Sequence, residues 1–341
     1  MSLDKIIDRA FAPAFAAVER RDIPGAMLGI VTADGQRDVR WKGHAQIEPH
    51  EESLSRGTWF DLASLTKVIF TTTRILHLVE EGRIALDDPL ITAIPDLRQY
   101  DMSAAERRLT FRQCLAHQTH LPAVEPLYTY GQDPSTLRAF ILQRVWRSGP
   151  PVYSDINFML LGIAIERITG QALIDQPLPE SLSFRPVPRL CAATEHCTWR
   201  ERVIRGEVHD ENAFALGGAS GHAGLFGTID GVLDFAQGLL DGSALSAPSL
   251  EVVRTRESET RTVGWEGSYP GWHGGDVCSP TTIGHTGFTG TGLWIDFERG
   301  LAWSLLTNRV HPSRHRDSGI VDLRRATGER VIALFDGRTR P

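Results

Sequence analysis

"DLASLTKVIFTT", residues 61–72, decides how this chain is read. The run continues through Ile75, Leu76 and Val79, so apolar residues recur at helical spacing. It predicts a core helix over 64–81, closed by Gly82. A lysine at the head of such a helix is out of place. The chain has 36 Lys and Arg residues, yet only Lys5, Lys42 and Lys67 are lysines. In a chain that favours arginine so heavily, this position holds the basic side chain that sheds its proton when desolvated. Ser64 lies three residues earlier on the same helix face, and Asp61 is the expected N-cap. Ser64 would then occupy the first turn, where free backbone N–H groups and the helix dipole stabilise a developing anion. A serine hydroxyl needs an adjacent base to act as a nucleophile, and a lysine serves only if burial or a nearby charge lowers its pKa.

Composition narrows what such a pair could serve. At 341 residues the chain is long enough for one large domain or two subdomains. A net charge of −6 gives no support for binding nucleic acid or an anionic membrane, so neither is an expected partner. No run approaches the ~18 apolar residues of a membrane span. Residues 1–21 place Ile6, Ile7, Phe11, Phe15 and Val18 at helical spacing among charges, an amphipathic surface helix rather than a signal peptide. The expectation is a soluble cytoplasmic protein, or a periplasmic one if a leader was removed ahead of residue 1. Four cysteines do not make a disulfide framework, and "CAATEHC" (191–197) does not match zinc spacing. No metal or organic cofactor is expected. The arginine cluster from Arg309 to Arg316, with His311 and His315, reads as a solvated loop. Oligomeric state is not legible.

Along the chain, two strand-like runs flank Asp34-Gly35 and predict a β-hairpin. Helices are expected at 110–117, 135–147, 155–169, 229–240, 247–256 and 317–335. Residues 180–227 carry few clear elements. "TTIGH", "TGLWIDFE" and "GLAWSLLTN" read as successive antiparallel strands, the last two joined through Arg299-Gly300. Strands thus lie at both ends with helices between them. The expected fold class is α+β: an antiparallel sheet flanked by N- and C-terminal helices, with an inserted, mainly helical subdomain. Residues 1–341 would form a single domain, with 1–85 and 225–341 as its α/β part and 86–224 as the insert. A cleft between the two parts is the natural place for a site.

Two further stretches carry chemistry. "PPVYSDINFMLLG" (150–162) sets Tyr153, Ser154 and Asp155 just before an apolar helix. Taken alone, Tyr153 reads equally as a packed ring with a bonded hydroxyl. "TTIGHTGFTGTGLWID" (281–296) places His285-Thr286-Gly287 ahead of a strand, in a glycine density that suggests close backbone approach or a bulged turn. In their order, Ser64-x-x-Lys67, Tyr153-Ser154-Asp155 and His285-Thr286-Gly287 resemble the serine β-lactamase and penicillin-binding-protein superfamily. The likeness is nearest to the class C branch, whose second motif begins with Tyr and which includes family VIII carboxylesterases and D-amino-acid-specific peptidases. "CLAHQTHLP" (114–122) is similar to a common stretch of that branch, with His120 in place of its glycine. "GEVHDENAFALGGASGHAGLFGT" (206–228) resembles a segment found in many members of no assigned role, some of them linked to cell-wall metabolism.

The resemblance implies a β-lactamase/transpeptidase-like fold and an acyl-enzyme formed on Ser64. It implies that Lys67 and Tyr153 share proton transfer, either of them being the base. The oxyanion hole would be the backbone N–H groups of Ser64 and Phe288. His285, Thr286, Gly287, Asp155, Asn157 and His222 are the candidate substrate-binding residues; Tyr128, Tyr130, Trp265 and Trp272 are candidate pocket walls. Two departures matter. Asp155 stands where the motif usually has Asn, and a carboxylate there would hold Lys67 charged. His285 replaces a lysine that helps bind a substrate carboxylate, which favours a neutral ester. The expected activity is therefore a serine hydrolase, first a carboxylesterase on small esters. A D-alanyl carboxypeptidase, a D-aminopeptidase or a β-lactamase follows, and a penicillin-binding sensor without turnover is the alternative of another class.

Overall fold

The Asp34-Gly35 turn joins β1 (Gly25–Thr32) to β2 (Arg37–Gln46), with Gly35 at a φ of +83° that suits glycine. Every residue of β1 is buried because both faces of its sheet are covered. Ala26, Leu28 and Ile30 face a core shared with α1 (Leu3–Ala10), α2 (Ala12–Glu19) and α10 (Ile320–Thr339). Met27 and Val31 face a second core with α8 (Ile229–Leu240) and the helices inserted in mid-chain. A strand buried on both faces reads as a continuous apolar run rather than an alternation, and "GAMLGIV" does so.

The chain is described here from a computed structural model covering residues 2–131 and 133–339. Its main sheet adds β3 (Glu52–Ser53), β4 (Glu266–Gly267), β5 (Ile283–Thr286), β6 (Gly292–Asp296) and β7 (Leu301–Thr307). The seven strands run in the order β3-β2-β1-β7-β6-β5-β4 with antiparallel pairing throughout. Strands from the two ends of the chain meet at β1 and β7, where Gly29 pairs with Ser304. This is the α+β architecture expected from the sequence. The single helix expected over residues 1–21 is instead two, broken at Phe11, because Pro13 fits only a first helical turn.

Between β3 and β4 lie α3 (Thr73–Glu80), α4 (Phe111–Leu115), α5 (Pro134–Gln143), α6 (Asp155–Thr169), α7 (Glu211–Ala215), α8 and α9 (Ala247–Arg254). Gly170, in a left-handed conformation, ends α6 as its sequence implied. A small sheet of Phe60–Asp61, Phe226–Gly227 and Leu182–Ser183 ties the mid-chain segment to the residues just ahead of Ser64. Among the described residues no helix is long and apolar enough to cross a membrane, and the four cysteines are unpaired.

One expectation is corrected. The Arg309–Arg316 stretch is only in part a solvated loop: His315 and Arg316 are exposed, but the rest is not. His311 is buried and accepts hydrogen bonds from the Ile47 and Glu48 N–H groups at 3.0 and 3.2 Å. Arg314 pairs with Glu195 and Glu211, and Arg309 lines a cleft that also holds Ser64. The charges persist in partly buried surroundings because carboxylates and backbone groups of distant segments satisfy them.

Candidate active site

The turn that presents Ser64 is strained and tightly held. Ala63 takes a φ of +47°, uncommon for a residue with a Cβ. Its N–H donates to the Asp61 carboxylate at 2.8 Å, and that buried carboxylate also accepts the His209 N–H at 2.6 Å. Asp61 therefore holds the turn rather than capping the helix. Ser64 itself stands at the helix start, its carbonyl accepting the Lys67 N–H at 3.0 Å. Residues Lys67–Thr72 then form a π-helical segment that continues into α3. The Thr72 and Thr73 hydroxyls donate back to the Lys67 and Val68 carbonyls at 2.7 and 3.0 Å, satisfying acceptors that the wider helical turn displaces.

Lys67 is completely buried, and its Nζ finds three oxygens. It lies 3.0 Å from Ser64 Oγ, 3.1 Å from the His222 carbonyl and 2.8 Å from the Asp155 carboxylate. It also sits 4.9 Å from the centre of the Tyr153 ring. Burial, the largest single influence, would lower its pKa, but the charges of Asp155 and Tyr153 and the hydrogen bond to Asp155 together overcome it, and the net direction is upward. Burial pushes the Tyr153 phenol up, Lys67 pulls it down, Asp155 adds to the rise, and the net shift is upward. The structure thus brings Ser64, Lys67, Tyr153 and Asp155 into one cluster.

The second motif is held from beneath by a residue that the sequence reading quoted without singling out. His117, itself at a φ of +56°, accepts the Ser154 N–H at Nδ1 over 3.0 Å. Its ring packs 4.6 Å from that of Tyr153. Burial, followed by the charges of Arg261 and Lys67, pushes His117 well below the ordinary histidine range, so it is neutral and Nδ1 is free to accept. Asn157, expected to bind substrate, does not reach the cleft. It is fully buried, accepting from Thr119 Oγ1 at 2.8 Å and approaching His117 Nδ1 at 3.4 Å. Two residues along a helix turn the side chain to the far face from Asp155.

His222 also differs from expectation. Its imidazole is buried between Ser220 Oγ and Asp210 Oδ1, each at 2.9 Å, and its carbonyl accepts from Lys67. The loop reaches Lys67 because Gly221 lies on α6 so closely that a Cβ would come within 2.0 Å of the Phe158 carbonyl. Burial opposes ionisation of Asp210, but His222 and the Ala213 N–H overcome it and hold this carboxylate well below its usual range. Asp155, Asp210 and His222 each bring a ligand-type atom within 4.8 Å of the others. Lys67 and the imidazole already engage both carboxylates there.

His285 lies one residue before the end of β5, with its ring buried. Nδ1 lies 3.0 Å from the Thr286 carbonyl, which makes it the protonated nitrogen and leaves Nε2 as a buried acceptor without a partner. Burial and the charges of Arg261 and Lys67 keep the ring neutral. Gly287 lies against the nucleophile turn: a Cβ there would meet Thr291 Oγ1 at 2.1 Å and the Leu62 carbonyl at 2.6 Å. Phe288 follows, half exposed, stacked on His209 at 5.6 Å and flanked by Arg309 and Arg314.

Ser64, Tyr153, Asp155, His285, Thr286, Gly287 and Phe288 line one open cleft of about 450 Å³. Asp210, Arg261, Glu266, Arg309 and Arg324 complete its polar wall. Tyr128, Tyr130, Trp265 and Trp272 do not line it; both tryptophans are buried in the cores. Arg261 and Arg324 went unread because nothing local in the sequence marks them, and Arg309 was read only as part of a solvated cluster; the three converge from a loop, α10 and the segment after β7.

A family model described as Beta-lactamase matches residues 7–326. The chain belongs to the beta-lactamase family. It is a serine hydrolase of β-lactamase fold. It is 29% identical to the N-acetylmuramyl-L-alanine amidase of Bacillus subtilis (strain 168), over 91% of this chain and 80% of that protein. It is 31% identical to a putative D-alanyl-D-alanine carboxypeptidase of Escherichia coli (strain K12), over 75% of this chain and 70% of that one. Among solved structures it resembles a beta-lactamase from Sulfitobacter sp. EE-36, with a TM-score of 0.75 at 22% identity and coverage of 99% of both chains.

Proposed function

We propose that this serine hydrolase cleaves amide bonds in cell-wall-type peptides through an acyl-enzyme on Ser64. The observation that carries this reading is the Ser64–Lys67–Tyr153–Asp155 cluster opening into a cleft walled by Arg261, Arg309 and Arg324. Such a wall suits a peptide that ends in a carboxylate. The curated relatives, named as an amidase and a putative carboxypeptidase, support the same substrate class. The neutral His285 argued for a small ester, but Arg309 and Arg324, which pair with no carboxylate among the described residues, supply the positive charge that His285 lacks, while Arg261 is tied to Glu266 at 3.0 Å; the amide reading ranks above the esterase one.

In this reading Ser64 Oγ attacks the amide carbonyl as its proton passes to the Lys67–Tyr153 pair. The carbonyl oxygen gains negative charge between the Ser64 and Phe288 N–H groups; among the described residues neither N–H donates to another part of the chain. Collapse breaks the C–N bond, and the same pair returns the proton to the leaving nitrogen. Water then attacks the ester by the reverse route, regenerating Ser64 Oγ–H. Lys67 and Tyr153 titrate as a pair, so the base belongs to both of them.

The test is intact-protein mass spectrometry and product release with N-acetylmuramyl-L-alanine, D-alanyl-D-alanine, p-nitrophenyl acetate and a penicillin. Turnover of either amide with Ser64 required supports the reading. Rapid ester turnover without any amide cleavage returns the assignment to an esterase. A lasting penicillin adduct with no turnover of any compound makes the protein a sensor.

A further inference from the structure

Arg324 is a buried guanidinium that meets backbone instead of a carboxylate. It projects from α10, and Nη2 donates to the Gly287 carbonyl at 2.8 Å and the Thr291 carbonyl at 2.7 Å. No carboxylate among the described residues forms a salt bridge with it, and its Nε has no partner. A buried charge held this way is costly unless its hydrogen bonds serve a purpose.

The purpose lies in which carbonyl it holds. The Gly287 C=O and the Phe288 N–H are the two ends of one planar peptide, so fixing the oxygen fixes the direction of the N–H. The same oxygen accepts the Gly290 N–H at 3.0 Å, and the Thr291 carbonyl accepts the Gly287 N–H at 2.9 Å. On the next peptide, Arg309 Nε donates to the Phe288 carbonyl at 2.9 Å. A cation on the carbonyl also draws electron density along the peptide and strengthens its N–H as a donor. Burial and the charge of Arg309 make Arg324 less basic than a free arginine, which marks how confined this cation is.

We propose that Arg324 is a positioning residue for the oxyanion hole: it holds and polarises the Gly287–Phe288 peptide so that the Phe288 N–H meets the charge developing on the substrate carbonyl. This rests on the reading of Ser64 as the nucleophile and Phe288 N–H as its oxyanion donor. Arg324 touches no reacting atom.

The experiment follows acylation of the whole chain by p-nitrophenyl acetate, which has no carboxylate for an arginine to bind. Arg324→Met and Arg324→Lys are compared with wild type by burst kinetics, adduct mass and affinity for phenylboronic acid, a tetrahedral mimic. Loss of an oxyanion donor costs about 100- to 1,000-fold; misorientation should cost roughly 10- to 100-fold in acylation rate in Arg324→Met with KM little changed, and less in Arg324→Lys. Boronate affinity should fall by the same factor, and ethylguanidinium should restore part of the rate in Arg324→Ala. A folded variant of either kind that acylates within about twofold of wild type overturns the proposal, as does a loss confined to KM for carboxylate-bearing substrates. If Arg324→Met does not fold, Arg324→Lys decides. Failure of wild type itself to be acylated on Ser64 overturns the nucleophile reading, and this proposal with it; normal wild-type acylation with unaffected variants overturns the clamp alone.

Discussion

Replacing Asp155 by Asn tests how the site controls its own protons. The carboxylate lies 2.8 Å from Lys67 Nζ, and asparagine keeps the acceptor and the shape while removing the charge. At an effective dielectric of 20, unit charges at that separation attract by about 6 kcal/mol before desolvation is counted. The retained hydrogen bond returns about 1 kcal/mol, and losing one partner of a buried pair typically costs about 3–5 kcal/mol. Asp155 raises the pKa of both Lys67 and Tyr153, so its removal lowers both, whichever of them accepts the Ser64 proton. The acid limb of kcat/KM should move to lower pH by at least about one unit, each unit being about 1.36 kcal/mol. Activity at pH 7 should rise relative to that at the wild-type optimum. The assay is the pH dependence of kcat/KM on p-nitrophenyl acetate, read at the isosbestic wavelength of the product. Linkage gives a second readout. With the folded pKa of Lys67 above its ordinary 10.5, its stabilising contribution is full below that value and is lost as pH rises through the folded one. Asp155→Asn should remove this alkaline-sensitive stability. An acid limb that stays in place, or moves to higher pH, refutes the account.

Five further variants have outcomes that follow from the geometry. Ser64→Ala should abolish acylation while leaving thermal stability close to wild type, and Lys67→Arg should lose nearly as much activity because arginine does not give up its proton; full activity in Lys67→Arg, measured as kcat, removes Lys67 from proton transfer. His117→Phe keeps a ring beneath Tyr153 but leaves the Ser154 N–H without an acceptor, a loss of about 1–3 kcal/mol in denaturant unfolding together with a fall in kcat. Gly287→Ala forces a Cβ into Thr291 and Leu62 and should cost about 1–3 kcal/mol with loss of the acylation burst. Glu195 is buried, which opposes ionisation, but His209 and Arg314 hold its pKa near about 2; its stabilisation is therefore present above the ordinary 4.5 and is lost as pH falls toward 2, and Glu195→Gln should flatten acid unfolding across that window.

What was legible in the sequence is what local periodicity and spacing encode. The Asp34-Gly35 hairpin, α6 with its closing Gly170, and the strand run from Ile283 to Thr307 follow from turn chemistry and apolar pattern. Ser64, Lys67 and Tyr153 were legible because three motifs occur in a fixed order. Asn157 and His222 misled for a common reason: adjacency to a motif says nothing about which way a side chain turns. Asn157 points into the helical core, and His222 offers its carbonyl rather than its ring. His117, Asp210, Arg261 and Arg324 are brought in by tertiary packing, over separations that no local pattern records.

The two departures from the resembled motifs are better understood as one electrostatic change than as two defects. A lysine at position 285 would set a second ammonium near Lys67, and each would depress the other's basicity. His285 is neutral, so that repulsion is absent. Asp155 then adds a negative charge beside Lys67, and the pair is internally balanced at the bottom of the cleft. The positive charge moves outward instead, to Arg261 over the Tyr153 ring at 5.1 Å and to Arg309 and Arg324 around the Gly287–Phe288 peptide. Arginine keeps its proton across the working pH range, so these charges serve binding and orientation without joining proton transfer. On the proposed mechanism the labour divides: Lys67, buried in the site, handles protons, and arginines handle fixed charge. A chain with 36 basic residues and three lysines has separated the two tasks by residue type. The double substitution Asp155→Asn with His285→Lys tests this directly. If the departures compensate for one another, the pair should restore a working Lys67 with a non-additive gain over the single His285→Lys variant, whereas strictly additive effects on kcat/KM would show that the two positions act independently.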